Sequence, residues 1–342
     1  MTAYRPVIWP PHGVDFSNSH KLTDLLVSYE FDKYMINFSN NYRIFARKSN
    51  KFMSVKGTLI PIGGNEDKGI EQSEIYTLEY IQEGILSRVV RESGGKEALI
   101  VVIPTASSIP NEVSENYLQA FGKLGCKNVH IMDIRNRAEA EDPLHLDLMK
   151  KADCVMFSGG DQSKIVQYIG GTLLHKIIQK RYEKDKFVIA GTSAGAMCMS
   201  QEMIKGGGIK EAFTKGAVLM GEGMGFLPNL IIDSHFIRRG RFGRLAEAVA
   251  RFPKLIGIGL AEDTGLVIKN CNIVEVIGSG MVILFDPRKL KHNNQAMVEN
   301  GTPMSLNNLK THILANGDRF DIKKKKLKIS PHHIKVIESQ TL

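Results

Sequence analysis

Cysteines are few in this sequence, and nothing in their spacing would pair them. The four, Cys126, Cys154, Cys198 and Cys271, form no C-x-x-C motif, and three lie in apolar or small-residue stretches. Buried free thiols in a reducing compartment are the simplest interpretation. Because no short Cys/His spacing accompanies these thiols, we expect no zinc or other metal site, and we expect no cofactor.

Long apolar runs are also missing. No window approaches the roughly 18 uninterrupted apolar residues that a membrane span needs. The first residues, MTAYRPVIWPPHG, lack the basic, apolar and small-residue regions of a secretory signal. These absences predict a cytoplasmic protein that has no membrane partner.

Nucleic acid is suggested only by charge. The net charge is +9, and a lysine run occupies 323–326 with Lys328 beyond it. No RRM, KH or zinc-finger signature accompanies the run, and its position close to the C-terminus favours a solvated tail. We therefore expect no nucleic-acid partner.

The 342 residues divide by pattern into three parts. Residues 1–52 contain Pro10, Pro11 and an Asn-rich stretch at 37–41, and they show no long periodicity. They are interpreted as an N-terminal extension of unknown role, either a poorly ordered arm or a small added element. Met53 opens the globular domain, 53–327, and is an alternative start of translation. Residues 328–342 form a C-terminal tail.

From Lys56 onward, short runs rich in Val and Ile alternate with longer helical segments. This alternation predicts an α/β fold, a three-layer αβα sandwich with a mostly parallel central sheet. The predicted strands are Thr58–Ile62, Leu99–Ile103, Asn128–Met132, Cys154–Phe157 and Val188–Gly191. The predicted helices are Glu71–Ser93, Val113–Leu124, Pro143–Lys151 and Gln162–Glu183. Closely spaced apolar runs predict an antiparallel end to the domain, at Leu255–Ala261, Leu266–Ile268, Ile273–Ile277 and Met281–Phe285.

Glycine-rich segments follow three of these strands, at 63–65, 158–162 and 191–195. The last, Gly-Thr-Ser-Ala-Gly, matches G-x-S-x-G, in which a sharp strand-to-helix turn exposes a serine hydroxyl at the end of a sheet. The strand FVIA before it and the helix-compatible AMCMSQEM after it provide the required context. Ser193 is therefore the predicted nucleophile.

A serine hydroxyl needs a base within hydrogen-bond reach and an acid that orients the base. His235 is the best base, because it ends an apolar strand; His175 is a rival that lies within a mostly apolar helix. Glu262 follows the strand at 256–261 and is the predicted acid, with Asp263 as the adjacent alternative. Asp233 could instead steer substrate.

Acyl transfer also needs backbone donors for the oxyanion that forms. Gly160 with Asp161 on one loop, and Ala194 after the nucleophile, can provide them. Together these residues predict a serine hydrolase.

Six motifs in order resemble the cyanophycinase family. They are GGNEDKG at 63–69, PTASS at 104–108, SGGDQ at 158–162, GTSAGA at 191–196, DSHFIRRGRFGRL at 233–245 and GLAEDT at 259–264. The resemblance extends from about Lys56 to about Leu327. It implies peptidase family S51, a fold similar to class I glutamine amidotransferases, and hydrolysis of cyanophycin, a polyaspartate whose β-carboxyls carry arginine, to β-Asp-Arg dipeptides. The family's Ser-His-Glu triad falls on Ser193, His235 and Glu262.

The resemblance also implies a substrate-binding set. Three arginines after the base match the family's pattern, and forked guanidinium groups suit carboxylates. Ser234 departs from that pattern, because a glutamine is expected there, and this puts one substrate contact in doubt. We expect a homodimer that binds an aspartyl-arginine polymer through Gln162, Asp233, Arg239, Arg241 and Arg244.

Two alternatives stay open. The first is a dipeptidase of the same peptidase family that acts on short α-aspartyl peptides. The second is a non-catalytic binding protein of the same fold, against which the intact serine, base and acid count.

Overall fold

The computed structural model describes residues 55–208 and 213–331. In these two segments the chain forms seven α-helices and seventeen strands. The helices are α1 (Ile85–Glu92), α2 (Pro110–Lys123), α3 (Pro143–Lys151), α4 (Gln162–Ile169), α5 (Leu173–Lys184), α6 (Ala194–Met197) and α7 (Phe242–Arg251).

The strands follow in chain order. The first seven are β1 (Thr58–Ile62), β2 (Ile100–Ile103), β3 (Val129–Ile131), β4 (Cys154–Phe157), β5 (Val188–Thr192), β6 (Glu202–Gly207) and β7 (Val218–Glu222). The next five are β8 (Leu230–Asp233), β9 (Ile256–Leu260), β10 (Thr264–Lys269), β11 (Ile273–Gly278) and β12 (Val282–Asp286). The last five are β13 (His292–Asn293), β14 (Leu306–Asn307), β15 (Lys310–Leu314), β16 (Arg319–Asp321) and β17 (Lys326–Lys328).

A nine-stranded sheet forms the centre of the fold, in the order β17-β16-β11-β10-β1-β5-β4-β2-β3. The five strands from β1 to β3 in this order are parallel, and the other four extend the sheet antiparallel from β1. The four inner parallel strands β1, β5, β4 and β2 are buried along their whole length and are mostly apolar, as expected for a sheet covered on both faces, whereas the edge strand β3 is partly exposed. The predicted α/β fold with a parallel central sheet is confirmed.

Successive side chains of the central strands enter two separate cores, because strand side chains alternate between the faces of a sheet. Leu59 and Ile189 pack on one face with helices α3 to α6 and a second sheet. Ile60 and Ala190 pack on the other face with α1 and α2. This alternation gives the three layers of the fold.

The second sheet, in the order β15-β12-β9-β8, contains the strands that precede the predicted base and acid. Strands β8 and β9 are parallel, while β12 is antiparallel to both β9 and β15. Sequence periodicity predicted an antiparallel end but did not show that these strands leave the central sheet.

The predicted strands agree with the structure to within a residue or two, whereas two predicted helices are wrong in extent. The helix predicted at Glu71–Ser93 begins only at Ile85. Before it, the Glu79 carboxylate accepts hydrogen bonds from the amides of Ile81 and Gln82, which favours a local turn over a helix. The helix predicted at Gln162–Glu183 is two helices, because Gly171 adopts φ +76° between them.

The predicted solvated tail at the lysine run is in part a hairpin. Lys326–Lys328 forms β17, which pairs with β16 at the edge of the central sheet. Lysines on an edge strand oppose pairing with a further chain. The predicted N-terminal extension, 1–52, lies outside the described residues. No helix within 55–208 or 213–331 is long and apolar enough to cross a membrane.

Candidate active site

Ser193 stands in the sharp turn between β5 and α6. Its backbone has φ +51° and ψ −108°, a strained conformation for a residue with a side chain. Its N–H donates to the carbonyl of Ile62 on β1 at 2.9 Å. A Cβ at Gly195 would lie 2.3 Å from the carbonyl oxygen of Phe157, so the glycine lets α6 approach the sheet closely. This geometry is the serine turn that the G-x-S-x-G motif predicts.

The base and acid candidates come from the second sheet. His235 lies two residues after the end of β8, and Glu262 lies two residues after the end of β9. Because β8 and β9 are parallel, both residues emerge at the same edge of that sheet. The His235 N–H donates to the carbonyl of Gly63 after β1, at 2.7 Å, which joins the two sheet edges.

These three side chains form a continuous hydrogen-bonded chain. The Nε2 atom of His235 lies 3.0 Å from the Oγ atom of Ser193. The Nδ1 atom of the same ring lies 2.7 Å from Oε1 of Glu262. Both distances are in the range expected for a nucleophile, its base and an orienting acid. The structure therefore brings all three predicted catalytic residues together.

The electrostatic surroundings favour a neutral imidazole in the resting site. Burial and the charges of Arg239 and Arg241 lower the pKa of His235, and they outweigh the opposing effect of Glu262. Burial alone would raise the pKa of Glu262, but its bonds to His235 and Arg238 hold that pKa below its ordinary value. A neutral imidazole beside an ionised carboxylate is ready to accept the serine proton.

The two rival residues have other partners. His175 accepts a hydrogen bond at Nδ1 from the N–H of Gly171, and its Nε2 lies 2.9 Å from the carbonyl oxygen of Met224. Asp263 accepts from the N–H of Asp67 at 3.0 Å and from the Ser279 hydroxyl at 2.6 Å. Among the described residues, neither side chain is hydrogen-bonded to Ser193 or His235.

The predicted oxyanion donors differ in availability. The N–H of Asp161 donates to the carbonyl of Ala106 at 2.9 Å, and its carboxylate caps α4 by accepting from Ser163. Within the described part of the chain, the N–H groups of Gly160 and Ala194 have no acceptor. Gly160 lines the same cleft as Ser193. Gly160 and Ala194 therefore stay candidates, whereas the Asp161 N–H is already engaged.

The predicted substrate arginines fall into two groups. Arg239 is exposed and lines the cleft beside Ser193. Arg244 is buried, and its Nε donates to Oδ2 of the fully buried Asp233 at 2.7 Å. Arg241 donates to Asp233 at 3.2 Å and to the carbonyl of Ser234 at 2.7 Å. The structure thus joins Arg241 and Arg244 into one cluster around the buried Asp233 carboxylate.

Two further sequence candidates face inward. The Gln162 amide donates to the carbonyls of Ile204 and Lys205 on β6, at 2.8 and 3.0 Å. The Ser234 hydroxyl donates to the sulfur of Met197 at 3.2 Å. Neither side chain lines the cleft. Ser234 therefore does not replace the substrate contact of the glutamine expected at its position.

Three charged residues of the cleft were missed by sequence reasoning. Arg238 donates to Oε2 of Glu262 at 3.1 Å, and Lys68 lies 3.0 Å from Oε1 of Glu66. They line a cleft of about 770 Å³ that contains Ser193. Their motifs, GGNEDKG and HFIRRGR, were visible, but Arg238 pairs with Glu262, 24 residues away, and Glu66 also accepts from Thr192, 126 residues away. Among the described residues, no group of three or more His, Cys, Asp or Glu side chains could hold a metal ion.

A sequence profile for Peptidase family S51 matches residues 72–276, more than half of the chain. The chain belongs to peptidase family S51. It is therefore a peptidase, and the matched region contains all three residues of the hydrogen-bonded chain at Ser193.

Similar proteins agree with this assignment. A cyanophycinase from Geminocystis herdmanii is 34% identical over 269 residues, 79% of this chain and 95% of that protein. One from Trichormus variabilis is 35% identical over 281 residues, 82% of this chain and 91% of that protein. The crystal structure of a peptidase from an acI-B1 Actinobacterium has a TM-score of 0.57 and 21% identity, and the match covers 79% of this chain and 98% of that chain. The last comparison supports the fold.

Proposed function

We propose that this S51 peptidase is a serine-type enzyme that hydrolyses cyanophycin to β-Asp-Arg dipeptides. The observation that carries the proposal is the hydrogen-bonded chain from Ser193 through His235 to Glu262, at 3.0 and 2.7 Å. The cyanophycinases at 34% and 35% identity support the choice of substrate.

In the first half of the reaction, Ser193 Oγ attacks the carbonyl carbon of an aspartyl amide bond. His235 Nε2 accepts the serine proton, and Glu262 stabilises the imidazolium through Nδ1. The carbonyl oxygen becomes an oxyanion, for which the N–H groups of Gly160 and Ala194 are the proposed donors. Collapse of this intermediate breaks the C–N bond, the leaving amine takes the proton from His235, and an acyl-enzyme remains.

In the second half, water replaces the amine. His235 accepts a proton from the water as the water oxygen attacks the acyl carbon. The bond to the Ser193 oxygen then breaks, and His235 returns the proton to that oxygen. The atoms balance as one water added across one amide bond. No cofactor is needed for this chemistry.

Substrate recognition is proposed to rest first on Arg239. An exposed guanidinium in the cleft can form charge-assisted bonds with a substrate carboxylate. Arg241 contributes from beside it, while Arg244 and Asp233 hold Arg241 in place. Gln162, at the start of α4, donates to β6 and is proposed to hold the adjoining Gly160 loop of the cleft in place.

The experiment that tests this substrate is an assay of the purified protein on cyanophycin and, in parallel, on the α-linked dipeptide Asp-Leu. Mass spectrometry of the products should find β-Asp-Arg from the polymer and little cleavage of Asp-Leu. Turnover of Asp-Leu with an untouched polymer would favour the family's dipeptidase activity instead.

We also propose that the enzyme acts in the cytoplasm as a homodimer. Free cysteines at 126, 154, 198 and 271 agree with a reducing compartment. Light scattering coupled to gel filtration should give a mass near twice that of one chain; a monomer mass would exclude the dimer.

A further inference from the structure

Glu66 is a buried carboxylate that the proposed reaction does not use. It is 1% exposed and lies on the loop that follows β1, at the floor of the cleft. Its Oε1 atom accepts from the Tyr117 hydroxyl at 2.7 Å and pairs with Lys68 at 3.0 Å. Its Oε2 atom accepts from the hydroxyl of Thr192, the residue immediately before Ser193.

With these contacts, Glu66 is not suited to act as a proton donor. Burial alone would raise its pKa, but the charge of Lys68 and the hydroxyls of Thr192 and Tyr117 outweigh burial and lower it. An ionised carboxylate with three partners has no proton to give. A buried carboxylate is stable only with such partners, so their arrangement fixes the side chain in one position.

The end of β1, together with the loop after it that carries Glu66, also contacts the turns of the three proposed catalytic residues. The carbonyl of Ile62 accepts from the N–H of Ser193, and the carbonyl of Gly63 accepts from the N–H of His235. The carbonyl of Gly64 accepts from the N–H of Asp263, next to Glu262, at 2.9 Å. A Cβ at Gly64 would lie 2.5 Å from the imidazole ring of His235. This segment therefore touches nucleophile, base and acid turns together.

We propose that Glu66 is a positioning residue that acts through the Thr192 hydroxyl. The Glu66–Thr192 bond fixes the strained turn of Ser193 relative to the loop that holds His235, and so sets the distance between Oγ and Nε2. This inference rests on the proposed role of Ser193 as nucleophile. A misplacement of about 1 Å in such a pair can lower the rate about a hundredfold.

The test uses Thr192→Val, which keeps the branched shape and removes the hydroxyl. The readout is the rate at which a fluorophosphonate probe labels Ser193, because it reports nucleophile activation without a need for the correct substrate. We expect labelling to slow about 10- to 100-fold. Thr192→Ser, which restores a hydroxyl, should label close to the wild-type rate.

Thr105→Val is the matched control. Thr105 follows β2 at the same edge of the sheet, is fully buried, and has a hydroxyl with no hydrogen-bond partner among the described residues. The same chemical change there should leave labelling at the wild-type rate. Equal labelling of Thr192→Val and Thr105→Val would overturn the proposal.

Glu66→Gln and the double variant Glu66→Gln/Thr192→Val complete the test. If Glu66 acts through Thr192, the double variant should label no more slowly than the slower single variant, because the two changes break one interaction. If the labelling rate of the double variant instead falls by the product of the two single-variant losses, the two residues act independently, and this result would also overturn the proposal. If Thr192→Val does not fold, slow labelling of folded Glu66→Gln supports the proposal, and unchanged labelling overturns it. Wild-type protein that the probe never labels would instead contradict the proposed nucleophile.

Discussion

Arg239 and Arg244 belong to one basic segment but differ in their surroundings and in their expected roles. Arg244 is 6% exposed and pairs with a carboxylate that is fully buried, whereas Arg239 projects into the open cleft. Removing one partner of a buried pair leaves an uncompensated charge, which costs about 3–5 kcal/mol. An exposed arginine that binds a substrate carboxylate contributes roughly 1.5–3 kcal/mol to substrate engagement.

We therefore predict opposite signatures for two alanine variants. Arg244→Ala should lower the free energy of unfolding in urea by about 3–5 kcal/mol. Arg239→Ala should leave unfolding unchanged but lower kcat/KM on cyanophycin about 10- to 100-fold. If the exposed variant keeps the wild-type kcat/KM, Arg239 does not bind substrate.

The pH dependence tests the state of His235. A histidine that acts as the proposed general base must be neutral, so kcat/KM should fall as acid protonates His235. Because burial and nearby arginines lower the pKa of His235, the acid limb should lie below the ordinary value of about 6.5.

Arg239→Gln removes one of the charges that lower this pKa, so the acid limb should move upward by a fraction of a unit. An exposed charge a few ångströms away contributes about 1 kcal/mol at most in water. Arg319→Gln, on β16 and outside the cleft lining, should leave the limb in place. An acid limb at or above about 6.5 in the wild type would contradict this account.

At the residue scale, the sequence predicted the site residues whose positions depend on neighbours in the chain. Ser193 was identifiable because the strand, the glycines and the helix that form its turn are contiguous in the chain. The partners of Asp161, Gln162 and Asp233 were not, because their bonds join atoms that only the fold brings together. Glu66 was missed for the same reason: its partner Thr192 is 126 residues away.

At the scale of elements, the carboxyl ends of β1, β5, β8 and β9 converge on one site. The strands themselves were predictable, because buried parallel strands are continuous apolar runs between turn residues. The separation of β8 and β9 into a second sheet was not, since an apolar run of five residues does not specify its neighbour. The long first helix was overpredicted because the Glu79 side chain competes for backbone donors in 79–84.

Asp263 ties two of these ends together and gives an element-scale prediction. Burial raises its pKa to about 6. This value is above the pKa of about 3.9 in an unfolded chain, so the folded protein binds this proton more tightly. The contribution of Asp263 to stability should therefore fall as pH rises from about 4 to about 6, by roughly 2–3 kcal/mol in total.

Asp263→Asn removes this titration while keeping a side chain of the same shape. Urea unfolding of both proteins between pH 4 and pH 7 should show the wild type losing stability relative to the variant as pH rises. Parallel curves would mean that the carboxylate titrates normally. The variant should also keep most activity, unlike Glu262→Gln, since the alternative acid does not contact His235.

At the scale of the whole molecule, the described fold begins with the central strand β1 at Thr58. Deleting residues 1–52, so that translation starts at Met53, removes no strand of either described sheet. We predict a soluble protein that hydrolyses cyanophycin at a rate comparable to that of the full chain. Aggregation, or loss of most activity at equal concentration, would show that the extension belongs to the fold.

The measurement that tests the account most directly is hydrolysis of cyanophycin by Ser193→Ala beside the wild type, at equal concentration of folded protein. Triad members act as a unit, and losing the nucleophile costs about a millionfold in kcat. We therefore predict no detectable β-Asp-Arg from Ser193→Ala, with a thermal melting curve like that of the wild type. Hydrolysis above about a hundredth of the wild-type rate would remove Ser193 from the mechanism.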